Sequence, residues 1–349
     1  MSAAEAHIKV PTKITLFGEH AVVYGIPAIA TTIPVHIDMI GRRTSSDYIR
    51  INIKQGLMFL IRNVEINKDL ISVEPDPMHS KRLLSYILTA LSVCEEELQI
   101  RNRKGGYVIV VDSPLPSGIG LGTSAAISVG TITLCMILNG YIKNEEVNIH
   151  RTEIAKLAWN VEKIVQGSAS PMDTHTIALG GLRYIDPSRL EAQLINIDYD
   201  LPILVGYTTR RNTTADLIKM VKKIKERNEK LFFELLNIVK DIVEEAKKAL
   251  FNRDLEMLGM LMNVNHGILQ SLGVVNNDHN IIAQALRNAG ALGFKTSGAG
   301  GGGAFVALAT SRETQEKLSI LAESLGAKIV SKEICFNGVS LVNDYRRPS

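Results

Sequence analysis

The apolar residues change rhythm along the chain. In the first third they form short β-branched runs at residues 22–25, 33–40 and 107–111, which predict strands. A nearly unbroken apolar stretch at 124–138 predicts a helix, and 149–165 predicts a second. Strand character returns at 182–185 and 203–207. From 213 to 272 the pattern is helical. There Leu231, Leu235, Ile238, Ile242, Ala246 and Ala249 recur at spacings of three and four, which predicts one apolar face. The chain closes with strand, helix, strand. Polar residues collect between 186 and 200, the softest place for a boundary. With 349 residues, two domains are expected, 1–186 and 187–349.

The most membrane-like segment, 125–138, is shorter than the ~20 residues a span needs and carries Ser128, Thr131 and Thr133. A buried core helix is the better reading. The first residues contain no apolar core of the kind a signal peptide has. A net charge of +3 with 21% charged residues predicts neither a nucleic-acid nor a membrane partner. The basic stretch 219–230 is interleaved with Glu226 and Glu229, as on a solvated helix face. Cys94, Cys135 and Cys335 are odd in number, far apart and lack C-x-x-C spacing. They predict neither a disulfide framework nor a zinc knuckle, and a reducing cytoplasm fits them.

The central motif is Pro116, Ser117, Gly118, Ile119, Gly120, Leu121, Gly122, Thr123 and Ser124, running straight into the apolar helix. Three glycines in five residues let backbone approach a ligand and take positive φ. A helix N-terminus follows, with free N–H groups and the positive dipole end, which suits a polyphosphate. A plain turn capped by Thr123 or Ser124 would need fewer glycines. The loop is not a Walker A motif, because G-x-x-x-x-G-K-[ST] occurs nowhere in the chain.

A second cluster, Ser297-Gly-Ala-Gly-Gly-Gly-Gly303, satisfies G-x-G-x-x-G at Gly298, Gly300 and Gly303. A dinucleotide fingerprint must open a helix, yet Ala304-Phe-Val-Ala-Leu308 reads as a strand. The cluster is therefore expected as strand–loop–strand, packed closely on other backbone, with the first loop a candidate partner. In Ser168-Ala-Ser-Pro-Met-Asp173, Ser170 and Pro171 read as N-cap and N1 of a helix. Asp173 would then be N3, where a carboxylate complements the helix dipole. Glu162, near the end of the preceding helix, reads by itself as a surface carboxylate. Lys13, Glu19 and His20 stand out in the otherwise apolar segment 11–25.

Together these segments resemble the GHMP kinases, whose three motifs appear in order at 11–25, 114–126 and 295–303. Gly18-Glu-His-Ala-Val-Val-Tyr-Gly25 is similar to the form in the members that phosphorylate mevalonate, and Ser170-Pro-Met-Asp-Thr174 to archaeal ones. The resemblance implies a two-domain α+β fold with the active site in the cleft between the domains. It implies ATP phosphates on the 116–124 loop and Mg²⁺ held by Ser124 and Glu162. Asp173 matches the catalytic aspartate and Lys13 its lysine partner. Glu19, His20 and Thr213 match substrate contacts, and His20 or Arg183 is a candidate for the substrate carboxylate. The implied reaction is transfer of phosphate from ATP to the C5 hydroxyl of mevalonate. A kinase for another small alcohol and a non-catalytic sensor are the alternatives. A homodimer is compatible with this reading. Two departures stand out: Thr123, where many members carry serine, and Ser168-Ala-Ser-Pro-Met172 in place of the commoner G-N-P-S-G run, to which no substrate contact is assigned.

Overall fold

The computed structural model describes residues 5–45, 49–54, 64–67, 70–73, 77–100, 105–210, 212 and 214–342. The first half holds β1 (Glu5–Phe17), β2 (Ala28–Arg43), β3 (Ile49–Ile53), β4 (Val64–Asn67), β5 (Leu70–Val73), α1 (Pro77–Glu97) and β6 (Tyr107–Asp112). It continues with α2 (Thr123–Leu138), α3 (Arg151–Gln166), α4 (Met172–Leu179), β7 (Leu182–Asp186) and β8 (Glu191–Leu194). The second half holds β9 (Ile203–Thr208), α5 (Thr214–Arg227), α6 (Glu229–Phe251), α7 (Leu255–Ser271) and α8 (Asn277–Asn288). It ends with β10 (Gly293–Thr296), β11 (Gly303–Leu308), α9 (Arg312–Ser324), β12 (Lys328–Ser331) and β13 (Ser340–Leu341).

Two sheets organise these elements. The larger runs β13-β1-β2-β6-β3-β4-β5, with β7 on β2 and β8 on β7; the smaller is β10-β11-β9-β12. The expected division at 186/187 falls in the turn of the β7–β8 hairpin, and both strands lie on the larger sheet. β13 returns from the chain's end to pair with β1.

Strand β1 links two apolar cores. Its early residues Ile8 and Val10 pack with α1, α2 and α3, whereas Ile14, Leu16 and Phe17 pack with α6, α7 and β9. Lys13 lies at the changeover. Helix α2 explains the membrane-like stretch: 125–138 is buried throughout, so it needs apolar residues on every side. Among the described residues no helix is long and apolar enough to cross a membrane.

Three expectations need correction. Residues 22–25 form a 3₁₀ turn, Val22–Tyr24, ended by Gly25 at φ 87°. The face of α6 is Phe232, Leu236, Val239, Ile242, Val243, Ala246, Ala249 and Leu250. Leu231 and Ile238 are 48% and 46% exposed, because the packed stripe starts one residue later than the spacing suggested. Finally, Cys94 on α1 and Cys135 on α2 form a disulfide, leaving Cys335 free. The bridge joins neighbouring helices 41 residues apart in sequence, and it removes the cysteine argument for a reducing compartment.

Candidate active site

The site is assembled around Lys13. Its side chain is almost fully buried, and its Nζ lies 2.9 Å from Asp173 Oδ1 and donates to Thr15 Oγ1 at 3.0 Å. The backbone N–H of Lys13 also donates to Leu121 O at 3.1 Å, so β1 holds the first glycine loop directly. Gly122 sits at φ 74° as the N-cap of α2. A Cβ there would meet Lys13 Cε and Cγ at 3.0 Å, so the missing side chain gives the lysine its path to Asp173.

Asp173 lies in the first turn of α4 with its side chain about one-third exposed. The cap is Pro171 in place of Ser170, which puts Asp173 one position earlier in the helix than expected. Two bonds fix this turn. Trp159 Nε1 donates to Ala169 O at 2.8 Å, and the His175 ring pairs through Nδ1 with Pro171 O at 2.9 Å.

Gly118, Gly120 and Gly122 all take positive φ, as the motif required. Next to them Ser124 opens α2, one turn before Ser128. Ser128 Oγ lies 3.2 Å from Ser124 O and 3.2 Å from Glu162 Oε1. Gln166 Nε2 donates to the other oxygen of Glu162. Glu162 is thus no surface carboxylate; it is only 5% exposed, because α3 packs on α2. No group of three or more His, Cys, Asp or Glu side chains able to hold a metal occurs among the described residues. Ser124 and Glu162 do offer two oxygen donors, a set that fits Mg²⁺ completed by phosphates and water.

The second loop behaves as the strand after it implied. Ser297 N–H donates to Ala304 O at 2.9 Å, and the loop joins antiparallel β10 and β11. It packs on the first loop backbone to backbone: Ala304 N–H donates to Ile119 O at 2.6 Å. Histidines brace it. His279 Nδ1 is 2.8 Å from Thr296 Oγ1 and its Nε2 is 3.1 Å from Gly303 O, while Thr296 N–H donates to His266 Nδ1 at 3.2 Å.

A cavity of about 920 Å³ opens between these parts and takes walls from both halves of the chain. Lys13, Glu19, His20, Ser124, Glu162 and Asp173 all line it. So do Pro116, Ser117, Gly118, Ile119, Gly120, Gly122 and Thr123, whereas Leu121 is fully buried in the core. Ser168, Ala169, Ser170 and Met172, to which no contact was assigned, form part of the wall.

Glu19 is paired with Lys295, and both side chains are buried. Among the described residues, Glu19 Oε2 has no hydrogen-bond partner. Burial pushes the Lys295 ammonium down and the Glu19 carboxylate opposes that. His20 takes φ 60° and its Nε2 lies 3.1 Å from Ala299 O. Burial drives its pKa down to about 4, so at neutral pH the ring is uncharged and serves as a hydrogen-bonding group, not a cation. Arg183 is no candidate for a carboxylate: its guanidinium is bound to the carbonyls of Gly180, Ala192 and Leu179, and it does not line the cavity. Thr213 lies outside the described residues. Sequence reasoning missed Lys295 and Arg210. The first carried a signal, lying at the start of the third motif; the second carried none.

The GHMP kinase N-terminal domain matches residues 85–181, and the GHMP kinase C-terminal domain matches 246–325. Mevalonate kinase of Saccharolobus solfataricus is 33% identical over 95% of this chain and 97% of its own length. That of Pyrococcus horikoshii is 36% identical over 89% and 90%. The crystal structure of Methanococcus jannaschii mevalonate kinase superposes with a TM-score of 0.73 at 28% identity, covering 97% of this chain and 98% of that one. With both domains matched and relatives more than 30% identical over most of its length, the chain belongs to the GHMP kinase family.

Proposed function

We propose that this protein transfers the γ-phosphoryl group of ATP to the C5 hydroxyl of mevalonate, giving 5-phosphomevalonate and ADP. The observation that carries the reading is the Lys13–Asp173 pair, 2.9 Å apart, beside a glycine loop at a helix N-terminus. Similarity over nearly the full length to mevalonate kinases supports the choice of acceptor.

Phosphoryl transfer asks a protein mainly for positioning and charge neutralisation. The loop 116–124 and the N–H groups of α2 would bind the phosphates. Ser124 and Glu162 would hold Mg²⁺, which when bound neutralises phosphate charge. Asp173 would accept the C5 hydroxyl proton as the new oxygen–phosphorus bond forms and the bond to ADP breaks. Lys13 would orient Asp173 and stabilise negative charge on the attacking oxygen. Glu19, through Oε2, and His20 would make hydrogen bonds to the acceptor, and Thr213 a further contact.

The test is ADP release over mevalonate, phosphomevalonate, homoserine and galactose. Turnover should be confined to mevalonate; preference for another alcohol would overturn the acceptor, and no turnover with any would favour a sensor. Asp173→Asn should cut turnover ~10²–10⁴-fold while leaving ADP binding intact. Near wild-type turnover would remove Asp173 from the role of base.

A further inference from the structure

Beyond the backbone bond from Ala304 to Ile119, a side chain outside both glycine motifs also ties the two loops together. Arg210 follows β9 and lines the cavity. Its Nη1 donates to Gly118 O at 2.5 Å, and its Nε donates to Gly300 O at 3.1 Å. Both acceptors are glycines at positive φ, one at the mouth of the first loop and one inside the second. A loop of this shape binds anions through its N–H groups, while its carbonyl oxygens carry negative partial charge and oppose the same ligand. A guanidinium is suited to the conflict. It is always charged, and its planar fork offers donors in fixed directions to two acceptors at once. Its charge is felt in the cleft, where it helps hold the His20 ring neutral.

We propose that Arg210 is a positioning residue for polyphosphate binding: it occupies the carbonyls of Gly118 and Gly300, neutralises them, and keeps the two loops closed around the phosphates. This rests on the nucleotide half of the function proposed above and not on the identity of the acceptor alcohol.

The test is calorimetric binding of MgADP to wild type, Arg210→Ala, Arg210→Gln and Arg210→Lys, followed by Michaelis constants for ATP and for the acceptor. Losing two charge-assisted hydrogen bonds should weaken ADP on the order of tenfold or more in the alanine variant. The constant for ATP should rise in step and that for the acceptor should stay put. A general packing defect would move both constants together. Glutamine keeps an uncharged amide donor group and lysine keeps the charge without the fork, so each should fall between wild type and alanine. ADP bound as tightly by the alanine or glutamine variant as by wild type would overturn the proposal. Full recovery by lysine would overturn the two-carbonyl clamp. Wild-type protein that failed to bind ADP would bring down the kinase reading, and the clamp with it.

Discussion

The two glycine-rich loops have similar composition and opposite surroundings. At Gly118 in the first loop, an added Cβ would meet nothing within 4 Å among the described residues. In the second, it would lie 2.1 Å from Val274 O at Gly300, 2.4 Å from Thr209 O at Gly302 and 2.6 Å from Ile119 O at Gly303. At Gly118 the first loop therefore uses glycine to leave room for something outside the protein, although Gly120 and Gly122 face Ser297 and Lys13, whereas the second loop uses glycine to let protein backbone touch protein backbone. The element that follows each loop separates the two in advance. A helix start leaves unpaired N–H groups facing the cleft, whereas a strand start sends them into a sheet. A G-x-G-x-x-G string alone carries neither meaning.

The largest expected effect breaks the second loop. Gly300→Ala puts a Cβ on the Val274 carbonyl, which also accepts from Gly301 N–H at 2.7 Å, and it forces alanine to φ 83°. Overpacking and left-handed strain together should cost about 3 kcal/mol or more, read as a fall in the urea midpoint or loss of soluble protein. Wild-type stability for this variant would mean that the loop is not packed as described.

Acid attacks the same loop through its histidines. Burial pushes His266 and His279 each down to about 4, with Lys295 and Arg287 adding to the effect on His266 and Asp278 opposing it on His279. Unfolded histidine titrates near 6.5, so below that pH the unfolded chain binds more protons than the folded one. The contribution is complete above pH 6.5 and is lost as pH falls toward 4. Stability should drop by roughly 2 kcal/mol per histidine between pH 7 and pH 5. Thermal unfolding across that range checks it, and an unchanged midpoint would show that these rings are not held neutral.

Much of this site was legible in sequence, because its signals are local. Three alternate glycines before an apolar run, and a lysine inside a strand, need no partner to be noticed. What escaped depends on contacts distant in the chain. Glu162 reads as a surface group until α3 is laid on α2. The Cys94–Cys135 bridge needs α1 and α2 side by side. Leu231 and Ile238 sit on a good helical period, but periodicity fixes the spacing of a stripe and leaves its phase to the neighbour it meets. Arg210 sits in a loop whose meaning comes only from Gly118 and Gly300, each about 90 residues away.

A smaller effect sharpens the comparison from the first loop. Gly118→Ala has space for its methyl group, so the fold should lose only the left-handed strain, about 1–2 kcal/mol. The methyl group would project where phosphates are expected, so MgADP should bind on the order of tenfold more weakly. The second-loop variant should show the reverse balance, with stability lost before any binding can be read. If Gly118→Ala bound ADP normally, the open face of this loop would not be the phosphate face.

The smallest expected effect concerns the metal beside the first loop. Mg²⁺ takes near-octahedral oxygen ligands and keeps several waters, so one or two protein groups suffice when phosphates supply the rest. Ser124 and Glu162 are those groups in our reading, and their surroundings divide the labour. Glu162 is buried, and Ser128 and Gln166 both donate to it, which fixes its orientation. Ser124 is half-buried at the start of α2, where its hydroxyl can turn toward the cavity. Glu162→Gln removes the charge and should raise the Mg²⁺ concentration for half-maximal activity several-fold. Ser124→Ala removes a neutral ligand that water can replace, so its shift should be the smaller of the two. Thermal stability separates this from simple damage, since Ser124→Ala should melt like wild type. Unchanged Mg²⁺ dependence in both variants would refute the pairing and leave Glu162 as a brace between α2 and α3.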